Sequence, residues 1–381
     1  MTVMSSATRR STERSRTDRS KSDLCSAIED ELGGLMSSKA LAAAPYGPGF
    51  ARLWAIASEN VLGGKFVRPL LLMETYDALQ QPETRRDHHS SNRQTAIGIA
   101  AAVEILHYAF LLHDDVIDGD LVRRGRPNLI GTLLTEAGFP GGDDKNQQAK
   151  LHWARTGGIL MGNMLLAATH QSFARADLPQ ALRFRLLDLL DHTINETVAG
   201  EQLDVGLGDG IIAPELETIL MMCGYKTATY TFELPLRAAA ALAGAEPSVE
   251  SALATAGRHL GLAFQLQDDF LSTFGDPRQH GKDPFSDLRE GKQTAIIAYA
   301  RMTNAWPDIE PWFGQPELSG PEAQYVRRQL ADCGAEAFVQ GLVQEQLADF
   351  HQILGNHAAE IPESARTVLI DLAAQLEGRR S

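Results

Sequence analysis

Two pairs of aspartates have a type and spacing that could do chemistry. In Glu104 to Pro127, EILHYAFLLHDDVIDGDLVRRGRP, Asp114 and Asp118 are four residues apart. At about 100° per residue, His107, Asp114 and Asp118 fall within about 20° of one helical direction. Two carboxylates therefore project one turn apart from an otherwise apolar helix, where unpaired charge is costly. A solvated acidic helix end is the plain alternative, and the immediate succession of Arg123, Arg124 and Arg126 argues against it. Further along, in FQLQDDFLSTFGDP, Gln265, Asp268, Asp269 and Ser272 follow i, i+3, i+4 and i+7, again one face of an apolar helix. Two such acidic faces pointing at one another would bind hard, oxygen-preferring divalent cations, and Mg²⁺ keeps its waters while being shared with substrate phosphates. The ligand this chemistry implies is a polyphosphate, with Lys65, Arg68, Arg123, Arg124, Lys226, Lys282 and Lys292 as direct contacts.

The basic residues sit in distinct settings. Gly63-Gly64-Lys65-Phe66-Val67-Arg68-Pro69 has glycines that let backbone approach a ligand, then two cations three residues apart on a starting helix. Tyr225-Lys226-Thr227 lies mid-helix by pattern, where a lone lysine is usually a snorkelling surface residue. Gly281-Lys282 and Gly291-Lys292 flank Asp287 in a stretch that reads as a loop. Each is weak alone, and the combination is what carries meaning.

The elements that must position these residues read as nearly all α. From Asp23 onward apolar residues recur at helical spacing, with Ala and Leu dominating over Val, Ile and Thr. Helix is expected over residues 23 to 43, 50 to 80, 94 to 118, 127 to 137, 148 to 175, 179 to 204, 214 to 243, 248 to 274, 290 to 303, 320 to 353 and 362 to 378. Polar breaks at Gln81 to Arg93, Gly138 to Gln148, Asp276 to Ser286 and Trp306 to Pro316 are too short to separate domains. One helical domain over 23–381 is therefore expected, preceded by a flexible tail, 1–22, that is rich in Ser, Thr and Arg and has no apolar signal core.

With 381 residues the chain can bury a large core. Its formal net charge of −14 argues against a general affinity for nucleic acid or anionic membrane. Cys25, Cys223 and Cys333 are too scattered for a disulfide framework or a zinc site, which fits a reducing cytoplasm. The most apolar stretch, Ala96 to Leu112, contains Glu104 and His107, so no membrane span is expected.

Taken together, the motifs resemble those of the trans-isoprenyl diphosphate synthases, or polyprenyl synthases, over residues 24 to 375. GGKFVRP precedes the first aspartate motif, RRGRP follows it, GEQLDV and YKT lie between the two, and FGDP, GK and DLREGKQT follow the second. The resemblance implies the isoprenoid synthase fold, antiparallel helices around a deep central cavity with the two aspartate faces opposed at its mouth. It also implies a homodimer, and it is most like the bacterial geranylgeranyl diphosphate synthases. By that resemblance Asp114 and Asp118 hold two magnesium ions and Asp268 a third, with Asp269 assisting through water. Arg123, Lys226 and Lys282 contact the allylic diphosphate, while Lys65, Arg68, His107 and Arg124 form the isopentenyl diphosphate pocket. Thr227 and Gln265 turn oxygens toward the developing allylic cation, and Asp287 and Lys292 complete the network of the second motif.

Four departures from the family pattern stand out, one of them a loop between Lys282 and Asp287 that is one residue longer than in short-chain relatives. Phe66 occupies a place where many members carry a third basic residue, Ser272 replaces the last aspartate of the second motif, and Asn163 stands where a Gly-Asp is usual. Product length is read from the turn before Asp114, where the growing chain runs along the helix. Phe110 lies about 40° from Asp114 in projection and can block the tunnel. Ala109 is small, which argues against the tightest stop, and Tyr108 has a second reading as core. An intermediate, twenty-carbon product is expected, with farnesyl or longer-chain synthases as alternatives. A class I terpene cyclase would lack Lys65 and Arg68, and a non-catalytic regulatory subunit would lack the aspartates.

Overall fold

A computed structural model of the chain describes residues 4–80, 89–123, 125–136, 144–275 and 285–378. The described residues are predominantly helical, as expected, with a single two-residue hairpin pairing β1 (Val122–Arg123) and β2 (Arg126–Pro127). They pack as two compact units, one within Met1–Met73 and Pro82–Arg183, the other within Glu74–Gln81 and Phe184–Ser381.

The first unit contains α1 (Met4–Ala43), α2 (Pro48–Val61), the start of α3 (Val67–Leu79), α4 (His89–Asp118), α5 (Leu129–Glu136) and α6 (Asp144–Arg175). Its axis is α4, which packs against α1, α2, α5 and α6 and is buried at every residue from Ile99 to Ala109. Among the described residues only α4 is long and apolar enough to cross a membrane, over Asn92–Asp118, and 78% of its most apolar window is buried. Apolar on all sides and wrapped by other helices, it is a core helix. The carboxylates of its last turn emerge where that apolar run ends.

The second unit holds most of α7 (Gln180–Gly208), α8 (Leu216–Cys223), a π-helical segment (Gly224–Glu233), α9 (Leu234–Ala243) and α10 (Pro247–Phe274). After these come α11 (Ser286–Glu290), α12 (Ala295–Arg301), α13 (Trp306–Ile309), α14 (Gly320–Asp332), α15 (Ala335–Asn356) and α16 (Glu363–Glu377). Here α10 is central, packed by the π-helical segment, α9 and α15. On α15 the buried Val339, Val343, Leu347, Phe350 and Leu354 form one stripe of helical period.

Several expected helices differ from the observed ones. The helix expected from Asp23 begins at Met4, in a stretch with neither proline nor glycine to stop it. The one expected over 50 to 80 is two, α2 and α3, separated by the turn Leu62–Phe66. The one over 214 to 243 is three consecutive pieces, with a change of hydrogen-bond register at Gly224. The 290 to 303 and 320 to 353 helices break beside Gly291 and Gly334, both at positive φ. Asp287, expected in a loop, lies in α11.

Candidate active site

In the first unit the last turn of α4 gathers like charges. Asp114 is half-buried, Asp118 is exposed, and Asp115 between them is only 2% exposed. After the bend at Gly119, β1 carries Arg123 back over the helix end. Its Nε donates to Asp115 Oδ1 at 2.9 Å, and the same terminal nitrogen donates to Asp115 Oδ1 at 2.5 Å and Asp114 Oδ2 at 3.1 Å. Burial pushes the Asp115 carboxyl above its usual range, more than Arg123 pulls it down. Burial also works against the Arg123 charge, but Asp115 and Asp114 outweigh it and hold the guanidinium above its ordinary value. Asn128 locks the following turn, donating to Asp120 O at 2.8 Å and accepting from Gly131 N at 2.8 Å. Asp115 was not singled out by sequence reasoning. Its signal was the adjacent DD, whose two side chains point about 100° apart, so that Asp115 turns inward while Asp114 stands with Asp118.

The GGKFVRP turn leads into α3. Phe66 has φ +47°, a left-handed conformation that is uncommon for a bulky residue, and its side chain is 5% exposed. Its carbonyl accepts from Leu70 N at 2.9 Å, so Phe66 stands at the start of the helix. The exposed Lys65 and the half-buried Arg68 lie on either side of it. Phe66 thus buries its side chain against the core. His107 is buried two turns before Asp114. Asn163, the departure on α6, hydrogen-bonds the His113 imidazole, whose pKa is lowered chiefly by burial. Tyr108 is buried, in keeping with its reading as core, Ala109 is wholly buried, and Phe110 is half-buried. Arg124 lies outside the described residues.

In the second unit the π-helical segment sends consecutive side chains to different helices. Lys226 Nζ donates to Asp204 Oδ2 at 2.6 Å and Glu201 Oε1 at 3.2 Å, both on α7. Thr227 Oγ1 donates to Gln265 Oε1 at 2.9 Å on α10, and Gln265 Nε2 donates to Asp269 Oδ1 at 2.9 Å. Lys292 Nζ reaches the same Asp269 oxygen at 3.3 Å. Burial raises the Asp269 carboxyl to about 6 in spite of that lysine, while the carboxylate holds Lys292 well above the ordinary lysine value. Asp268, the residue before Asp269, is half-buried. The backbone of Lys292 donates to Asp287 O at 2.9 Å, placing these two near the motif. Lys282 lies outside the described residues. Glu201 and Asp204 were visible only as part of GEQLDV, and nothing in the sequence alone connected them to Lys226.

Residues 51–310, more than half of the chain, match the family model of polyprenyl synthetase. The chain belongs to the polyprenyl synthetase family. It is 27% identical over 317 residues to the geranylgeranyl diphosphate synthase of Methanosarcina mazei, covering 83% of this chain and 86% of that one. To the (2E,6E)-farnesyl diphosphate synthase of Mycobacterium tuberculosis it is 31% identical over 277 residues, 71% of this chain and 67% of the other. The crystal structure of geranylgeranyl pyrophosphate synthase from Corynebacterium glutamicum, complexed with isoprenyl diphosphate and magnesium, matches with a TM-score of 0.83. The two are 27% identical, and the match covers 94% of this chain and 99% of that one. The polyprenyl synthetase chain described here is therefore a trans-prenyltransferase with the all-α fold of isoprenyl diphosphate synthases.

Proposed function

We propose that the enzyme condenses isopentenyl diphosphate with an allylic diphosphate and releases geranylgeranyl diphosphate. The observation that carries this reading is the end of α4. Asp114, Asp115 and Asp118 crowd the helix C-terminus, where the backbone dipole is already negative. Arg123 offsets part of that charge, and the donor set left at the surface is oxygen-only, which suits magnesium. Asp114 and Asp118 would hold two ions and Asp268 a third, with Asp269 assisting through water. When bound, magnesium supplies Lewis-acid neutralisation of the diphosphate charge.

The remaining work falls to side chains. The allylic C–O bond breaks with its electron pair leaving on the diphosphate, and Lys226, oriented by Asp204 and Glu201, contacts that departing charge together with Arg123 and Lys282. Thr227 and Gln265, tied to each other, present oxygens to the carbocation. Lys65, Arg68, His107 and Arg124 hold isopentenyl diphosphate so that its double bond attacks the cation and forms the new C–C bond. The adduct loses a proton to the released diphosphate, Asp287 and Lys292 keep the second motif in place, and water is excluded while the cation lives.

Product length is read from the sizes of Ala109 and Phe110, which sit one turn before Asp114: the small residue would leave room for the growing chain and the large one would stop it. Geranylgeranyl synthases among the relatives favour the twenty-carbon product, and farnesyl synthases among them keep a shorter one as the alternative. A homodimer is supported by α6, whose Trp153, Leu160 and Met164 form an exposed apolar stripe at helical spacing. Residues 23–381 act as one catalytic domain in this reading, and three unpaired cysteines suit the cytoplasm. Asp114→Ala and Asp268→Ala should each reduce turnover by about 10³-fold or more without unfolding the protein. Activity within tenfold of wild type in either variant would contradict the metal assignment.

A further inference from the structure

The π-helical segment Gly224–Glu233 is an unstable choice of backbone. Its i→i+5 bonding is rare, and such stretches persist only where outside contacts hold them. On one side those contacts come from α10, through Gln265 and the close approach at Gly261, and on the other from one face of α7. Glu196, Gly200 and Asp204 are spaced i, i+4, i+8, so they line a single stripe. Asp204 takes the Lys226 ammonium. Gly200 lets the backbone at Lys226 come so close that a Cβ there would lie 2.7 Å from Lys226 Cα. Glu196 accepts the single hydroxyl hydrogen of Thr229, 1% exposed, with Oγ1 at 2.8 Å, and Gly224 O, inside the segment, stands farther from that Oγ1 at 3.3 Å as the competing acceptor.

Glu196 also belongs to a charge ladder that the prenyl-transfer chemistry does not use. Arg258 bridges Glu196 (3.3 Å) and Glu233 (2.5 Å), and Arg237 bridges Glu233 (2.9 Å) and Glu250 (3.2 Å). Oxygens of Glu196 and Glu233 and a nitrogen of His192 lie within 4.8 Å of one another, close enough for a metal ion. The arginines already balance those carboxylates, however, so a further cation has little charge left to neutralise. The ladder fixes where the Glu196 carboxylate stands, and Thr229 is the group it presents that carboxylate to.

We infer that Glu196, acting through Thr229, is a positioning residue for Lys226 and Thr227. It holds the segment in its π register so that these neighbours reach α7 and α10 respectively. The inference rests on the prenyl-transfer reading above. Without the Thr229 hydroxyl the segment relaxes toward ordinary helical bonding and rotates both side chains away from the charge that develops as the C–O bond breaks. That loss falls mainly on kcat, because the charge that Lys226 and Thr227 face grows as the C–O bond breaks.

The test is steady-state kinetics with isopentenyl diphosphate and farnesyl diphosphate on wild type, Thr229→Val, Thr229→Ser and Glu196→Ala, with thermal melting of each. Thr229→Val should lower kcat about tenfold, the cost of one hydrogen bond to a charged acceptor, with KM for both substrates within about twofold. Thr229→Ser, which restores the hydroxyl, should recover kcat. Glu196→Ala removes the same bond from α7 and should reproduce the loss, which decides the matter if Thr229→Val does not accumulate as folded protein. A folded Thr229→Val or Glu196→Ala variant with kcat within twofold of wild type overturns the inference, as does a Thr229→Ser variant impaired as much as Thr229→Val. A wild type that forms no prenyl product overturns instead the reading on which it rests.

Discussion

At the end of α4, adjacent aspartates have different fates because successive side chains on a helix point about 100° apart. Asp114 stays at the surface side with Asp118, while Asp115 turns inward and takes two bonds from Arg123. Arg123 therefore reaches any diphosphate only in the orientation Asp115 allows. Asp115→Ala should reduce kcat/KM by about 10²-fold, because the half-buried Arg123 guanidinium loses both bonds to Asp115 and keeps only the one to Asp114, whereas Asp120→Ala on the exposed turn should stay within about twofold. Equal effects in the two variants, measured by steady-state kinetics, would count against a specific role for Asp115. Phe110→Ala should shift the product by at least one isoprene unit upward, and an unchanged product distribution would remove Phe110 as the stop. The surface carboxylates were legible in the sequence because i, i+4 spacing fixes a shared face. Asp115, Glu201 and Asp204 were not, because periodicity gives direction around one helix and says nothing of which partner a side chain meets across space.

Among the elements, what periodicity located well was the run of each helix, and what it missed was where hydrogen bonding changes within a run. The stretch 214 to 243 keeps helical spacing of apolar residues throughout, so α8, the π-helical segment and α9 read as one. The register change is instead enforced by neighbours: Gly200 on α7 against Lys226 and Gly261 on α10 against Ala228, where a Cβ would lie 2.6 Å from Ala228 Cα. A sequence shows these glycines but not what they touch. Gly200→Ala should therefore destabilise the protein by about 1–3 kcal/mol through overpacking. It should also lower kcat by more than a substitution of similar cost on α15, since the displaced backbone is that of Lys226. A variant that melts earlier yet keeps wild-type kcat would separate the glycine from the chemistry. The same limit explains α2 and α3: Phe66 takes a positive φ that no propensity scale assigns to phenylalanine.

For the molecule as a whole, the net charge of −14 says little about affinity for diphosphates. Carboxylates such as Asp114, Asp118 and Asp268 bind an anionic substrate only through a divalent cation, so the sign that matters locally is set by the ion. The all-α class was legible because Ala- and Leu-rich helical spacing runs nearly the full length of the chain, and the same apolar richness makes α4 long enough to cross a membrane although it is a buried core helix. The central claim is that this family member elongates an allylic diphosphate with isopentenyl diphosphate to a twenty-carbon chain. Chromatography of the products formed from radiolabelled isopentenyl diphosphate, a geranyl or farnesyl diphosphate primer and magnesium tests it directly. The account predicts label in geranylgeranyl diphosphate, and none without magnesium or without primer. Hydrocarbon released from the primer alone, or no label in any prenyl diphosphate, would contradict it.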